Sequence, residues 1–146
     1  MATVDRYHNT DSDYGSKTAN VTADQNGTSV DLAGIRSALI VAAVGESGDT
    51  LSGSVYIELE VEHCNDDSTW VDCADADLLN SVTGNNTGTF AKIDADGEDG
   101  VIYTTQYVGT KRYVRVVINV TGSHSVGTPI GIVIVKGDAA KQPLTA

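Results

Sequence analysis

Residues 54–63 read SVYIELEVEH, where Val55, Ile57, Leu59 and Val61 alternate with Tyr56, Glu58, Glu60 and Glu62. A period of two gives an extended strand one apolar and one polar face, and a strand with one wet face belongs in an antiparallel sheet. The row of glutamates is therefore expected to face solvent. The same period recurs in KRYVRVVINVT (111–121), with Val114, Val116, Ile118 and Val120 on one face. TPIGIVIVK (128–136) is different. Ile130, Ile132 and Ile134 point one way while Val133 and Val135 fill the other side, the pattern of a strand buried on both faces. Residues 38–44 form a short apolar run bounded by glycine, which also suits a buried strand.

Between these runs lie turn formers. GESGDTLSG (45–53) is a loop, and the NDDS turn (65–68) joins 54–63 to TWVD (69–72) as a hairpin. Residues 74–88 show no clear period and end in the loop-like GNNTG. Residues 89–93 and 101–107 read as strands on either side of the acidic turn DADGEDG (94–100). No stretch of ten or more residues has a helical period. The expected fold is all-β, a single-domain antiparallel β-sandwich or jelly-roll-like unit of about seven or eight strands. Its core should include Val55, Ile57, Leu59, Val116, Ile118, Ile132 and Ile134. Residues 1–27 are polar and unpatterned, so they are expected to form an extended N-terminal arm. The sandwich then occupies 28–137, and 138–146 is an irregular C-terminal tail. Within the arm, Arg6, Tyr7, Tyr14 and Lys17 are the residues suited to an interface, tyrosine above all for its apolar area and hydroxyl.

Charge narrows the partners. The chain carries 20 acidic and 9 basic residues, a formal net charge of −11. Such a field repels a phosphate backbone, and the nearest thing to a basic patch is only Lys111, Arg112 and Arg115. Nucleic acid is not an expected partner. Excess acid favours solubility and dispersion instead. The N-terminal residues MATVDRYHNTDSDYGSK have no apolar segment of a signal peptide, and nothing approaches a membrane span in length. Synthesis in a cytoplasm is expected, with no membrane partner. Cys64 and Cys73 are read there as free thiols.

The candidate chemistry is sparse. In DADGEDG, Asp94, Asp96 and Glu98 alternate like a calcium loop, but the sixth and twelfth positions are Asp99 and Thr105 where such a loop needs glycine and a bidentate acid. A solvated turn is expected. His8, His63 and His124 are widely spaced and have no serine or cysteine motif beside them; Cys64 adjoins His63, but neighbours on a strand point to opposite faces. Glu58, Glu60 and Glu62 share a face yet flank no evident cleft. No catalytic residue, metal or cofactor is expected, so the chain reads as a non-enzyme. Four Asn-X-Thr triplets, at Asn20, Asn26, Asn85 and Asn119, are taken as chance matches in the absence of a secretory signal. Trp70 is the sole tryptophan and is expected to cover one end of the core.

A resemblance adds a role. VDLAG (30–34), SALIVAAVG (37–45), DDSTWVD (66–72), YVGTKRYVRVV (107–117) and the Gly-Thr-Pro that opens the last strand resemble, in that order, small proteins encoded beside tailed-phage capsid genes. These are head decoration, or cement, proteins. The resemblance spans residues 28–137 and departs from the pattern at Cys64 and Cys73. It implies a sandwich or jelly roll bound outside an HK97-type shell, bridging capsomers and stabilising them. It also implies the major capsid protein and further copies of the chain (as dimer or trimer) as partners, and the outer capsid surface of the virion as location after synthesis in the bacterial host. On that reading Arg6, Tyr7, Tyr14 and Lys17 would touch the capsid or a neighbouring subunit. The alternative is a carbohydrate-binding or adhesion module of a phage tail or fibre, which would use an exposed Trp70.

Overall fold

The computed structural model describes residues 4–142 and 144. Within them the alternating segments become two antiparallel sheets packed face to face, and the chain is an all-β sandwich. Sheet A contains β1 (Thr10–Val21), β4 (Ser37–Val44), β8 (Ile102–Tyr107) and β10 (Thr128–Gly137), in the order β1-β10-β4-β8. Sheet B is built on the long pair β5 (Tyr56–Cys64) and β9 (Tyr113–Thr121). Short strands flank that pair. β2 (Gln25–Asn26) and β3 (Val30–Asp31) lie along β9; β6 (Val71–Asp72) and β7 (Thr89–Ile93) lie along β5. A single turn of 3-10 helix, Asp75–Asp77, follows β6.

The core forms because each long strand turns its β-branched row inward. Ile40 and Ala42 of β4 and Ile130, Ile132 and Ile134 of β10 meet Ile57, Leu59 and Val61 of β5 and Val114, Val116 and Ile118 of β9. All are essentially inaccessible to water, as are Ile93 and Phe90, the chain's single phenylalanine. Interdigitated inner faces of this kind are the core of a two-sheet sandwich. Val55 is the exception among the expected core residues. It precedes β5, bridges to Ser52 in a tight turn and is only half-buried.

The N-terminal stretch departs from the sequence reading. Residues 10–21 are not a free arm but the edge strand β1, paired with β10 from Thr10↔Gly137 to Val21↔Thr128. Residues 25–26 then pair with β9 in the other sheet. Burial patterning missed this because β1 offers the core only Gly15 and Val21; its place is set by backbone pairing. The chain passes from one sheet to the other at Gly27, whose N–H donates to the Val116 carbonyl (2.8 Å), while the Thr28 N–H donates to the Gly15 carbonyl (2.7 Å). Residues 1–3 of the expected arm and 143 and 145–146 of the expected tail lie outside the described residues.

Two loops at one end are clamped by Asp49. Its carboxylate accepts the backbone N–H groups of Ser125, Val126 and Gly127 and the Ser125 hydroxyl. These bonds, led by those from Gly127 and Val126, hold its pKa down to about 2 from an ordinary 3.8. A depressed carboxylate pKa adds stability that is complete above the unfolded value and is lost as pH falls through the folded one. The melting temperature is therefore expected to fall between pH 4 and pH 2, and Asp49→Asn should flatten part of that fall while lowering stability at neutral pH. Thermal melts of both proteins across this range check it; parallel curves would show that Asp49 is not the clamp.

Candidate interaction face

Register determines what sheet A shows on its outer side. Cross-strand partners share a face, so three rows can be read directly across the sheet. Ser12, Val135, Leu39 and Gln106 form one row; Tyr14, Val133, Val41 and Thr104 the next; Gly131, Ala43 and Ile102 the third. None of these residues is charged. Ile102 is 66% exposed, Tyr14 56% and Leu39 41%, while Val41, Val133 and Val135 are half-buried. Lys136, next along β10 and facing the other way, is held by Asp11 (2.9 Å) and Asp13 (2.6 Å).

The residues picked out in the arm are distributed differently. Tyr14 alone lies within this face. Lys17 is exposed in β1 between register shifts, and Tyr7 precedes the strand, packing edge-on against His8 with ring centres 5.1 Å apart. Arg6 lies beside it, its carbonyl accepting the Asn9 N–H and the Thr10 hydroxyl. Sequence reasoning did not single out Leu39, Val41, Ala43, Ile102, Val133 or Val135 for a surface. The signal was present, since β4 and β10 are apolar on both faces. It was read as burial within the chain, whereas Leu39, Ala43 and Ile102 are exposed on the outer side; Gly131 is buried there, with the Thr18 side chain lying over it.

The outer side of sheet B has the opposite character, and it corrects the expectation of a solvated glutamate row. Glu58 and Glu60 are each only 1% exposed. The loop 84–88 folds over them: the Asn85 N–H donates to Glu58 (3.0 Å), Asn85 Nδ2 to the Tyr56 hydroxyl (2.9 Å) and Asn86 Nδ2 to Glu60 (2.8 Å). Arg115 of β9 donates to Glu62 and lies 4.5 Å above the Trp70 ring. Trp70 is thus half-buried outside sheet B and does not cap the core.

At one end of the sandwich a cleft of about 490 Å³ opens between the 32–38 and 107–112 segments. Arg36, Lys111 and Arg112 line it, but Arg112 is engaged by Asp31 through two hydrogen bonds of 2.9 and 2.7 Å. Arg112 and Arg115 are therefore both neutralised, leaving little of the basic patch. Tyr107, also in the lining, is 2.8 Å from His63 Nδ1 and accepts the Lys111 N–H (3.1 Å). Burial lowers the His63 pKa and raises that of Tyr107 to about 12, so both are neutral near pH 7. Cys64 and Cys73 are buried and unbonded. Burial, with nearby acids, pushes the Cys73 thiol up to about 12, which removes it as a thiolate nucleophile. Compared with protein-family models, curated proteins and solved structures, the chain matches none.

Proposed function

We propose that this chain is a structural decoration protein that seats the outer face of sheet A on a phage capsid shell. The observation that carries the reading is an uncharged, partly apolar sheet face on a chain of net charge −11. From strand spacing and rise, the three rows cover roughly 400 Å², polar Ser12, Thr104 and Gln106 included; the largest apolar patch on a monomer is of about that order and is often functional. A patch of that size is small for a stable pairwise complex. It suits a partner that repeats in a lattice, where several copies held together bind several sites and later contacts become intramolecular. Acidic surfaces facing outward would keep coated particles apart. A glycan-stacking role for Trp70 is less favoured, since Arg115 already occupies one face of the indole.

The test is to mix purified protein with undecorated shells. Saturable, stoichiometric binding is expected. The double variant Leu39→Glu/Ile102→Glu should melt near the parent temperature, because both side chains are exposed. Its binding should weaken by roughly a hundredfold or more, through two lost apolar anchors and two charges buried without partners. Equal decoration by parent and variant would rule this face out, and no binding by the parent would rule out the role.

A further inference from the structure

On the outer face of sheet B, Glu60 keeps one oxygen that no hydrogen bond accounts for, and two further acids lie beside it. Glu60 and Glu62 project from β5, and Asp72 of β6 is the register partner of Glu62. Each can offer one carboxylate oxygen such that all three oxygens lie within 4.8 Å of one another. Glu60 Oε2 accepts the side-chain amides of Asn86 and Asn119. Its other oxygen, Oε1, is buried and has no hydrogen-bond partner. An unpaired oxygen on a buried carboxylate is costly to hold. Arg115 binds Glu62 through Nε and Nη2, both at 2.6 Å, so a single guanidinium faces three acids. The cluster is short of positive charge.

We infer that Glu60, Glu62 and Asp72 form a binding site for a hard divalent cation such as Ca²⁺. The donors are all oxygen, which selects calcium, manganese or magnesium over softer metals. Asp72 is exposed and gives the ion a way in, while Glu60 supplies the desolvated oxygen at the floor. With three carboxylates and one arginine, a divalent ion would neutralise the group. The acidic turn at 94–99 is no rival. Asp94 pairs with Lys92 (3.4 Å), Glu98 accepts the Asp94 N–H and Asp99 accepts the Ser47 N–H. Among the described residues, Glu60, Glu62 and Asp72 are the group whose ligand atoms converge. Glu60 and Glu62 were visible as one strand face, but the third member, Asp72, comes from another strand, so the reading that led to an expectation of no metal had only two acids to work with.

The full chain, stripped with EDTA and exchanged into metal-free buffer at pH 7.5, should be titrated with Ca²⁺, and separately with Mg²⁺ and Mn²⁺, by calorimetry and thermal melting. One ion per chain and a saturable rise in melting temperature are expected. Mn²⁺ should quench Trp70 emission, since the indole stacks under the arginine bound to Glu62. Asp72→Asn, an exposed change that leaves the fold intact, should weaken the affinity about tenfold or more, and Asp96→Asn should not. Glu60→Gln should abolish binding; if it fails to fold, Asp72→Asn decides alone. The site is disproved if none of the three ions binds at millimolar concentration, as when a shared proton settles the cluster. It is equally disproved if Asp72→Asn binds like the parent.

Discussion

Replacing Ile118 by Ala is expected to lower the unfolding free energy by about 2–5 kcal/mol. Ile118 lies mid-way along β9, fully buried, with Leu59 as its register partner on one side and Gln25 on the other. Truncation there removes apolar contact and leaves a cavity that two paired neighbours prevent from collapsing. The midpoint in urea should move with little change in slope, the sign of a stability loss without a change in the surface exposed. Val133→Ala, on the outer face of β10, is the control and should cost less than about 1 kcal/mol. Equal costs at the two sites would mean that the inner and outer faces have been assigned wrongly.

A comparable loss is expected from Gly27→Ala, at least the roughly 1–3 kcal/mol typical of overpacking. A Cβ at this position would run into the carbonyl oxygens of both Val116 and Gly15. These are backbone atoms in two different sheets, so neither can swing aside as a side chain would. Relief requires giving up the Gly27–Val116 or the Thr28–Gly15 hydrogen bond, and with it the crossing between sheets. Gly53→Ala is the comparison, because nothing lies within 4 Å of its added carbon. It should stay within about 0.5 kcal/mol of the parent. A Gly27→Ala protein that melts with the parent would show that the crossing is looser than described.

The long strands were legible because their sequence carries the sandwich's own period. β5 and β9 alternate, and β4 and β10 are mainly apolar, so strand type could be read for all four and the inward face for β5 and β9. What failed was information held outside the local pattern. β1 has no alternating apolar row; it is a strand because β10 needs a hydrogen-bonding neighbour, and main-chain groups look alike in any sequence. The glutamates of β5 looked solvated because the segment that covers them, with Asn85 and Asn86, has the composition of an ordinary surface loop. Trp70 could not be placed without knowing that Arg115, far along the chain, would lie over it. The outer rows of sheet A were visible as apolar residues, but the exposure of Leu39 and Ile102 depends on the sheet order.

The pairing of Thr10 with Gly137 also dictates the order in which a newly made chain can fold. β5 and β9, the centre of sheet B, are both available once residue 121 has left the ribosome. Sheet A must wait. β4 and β8 can meet earlier, but β1 has no neighbour until β10 appears, and β10 is the last strand to leave the ribosome. Until then the inner row of β4 has only a partial cover, and β1 trails as an unpaired polar ribbon. Pairings this distant in sequence are the high-contact-order part of the fold, and such pairings form slowly. The polar sequence of β1, which hid it from pattern analysis, is what allows the strand to wait in water without sticking to its neighbours.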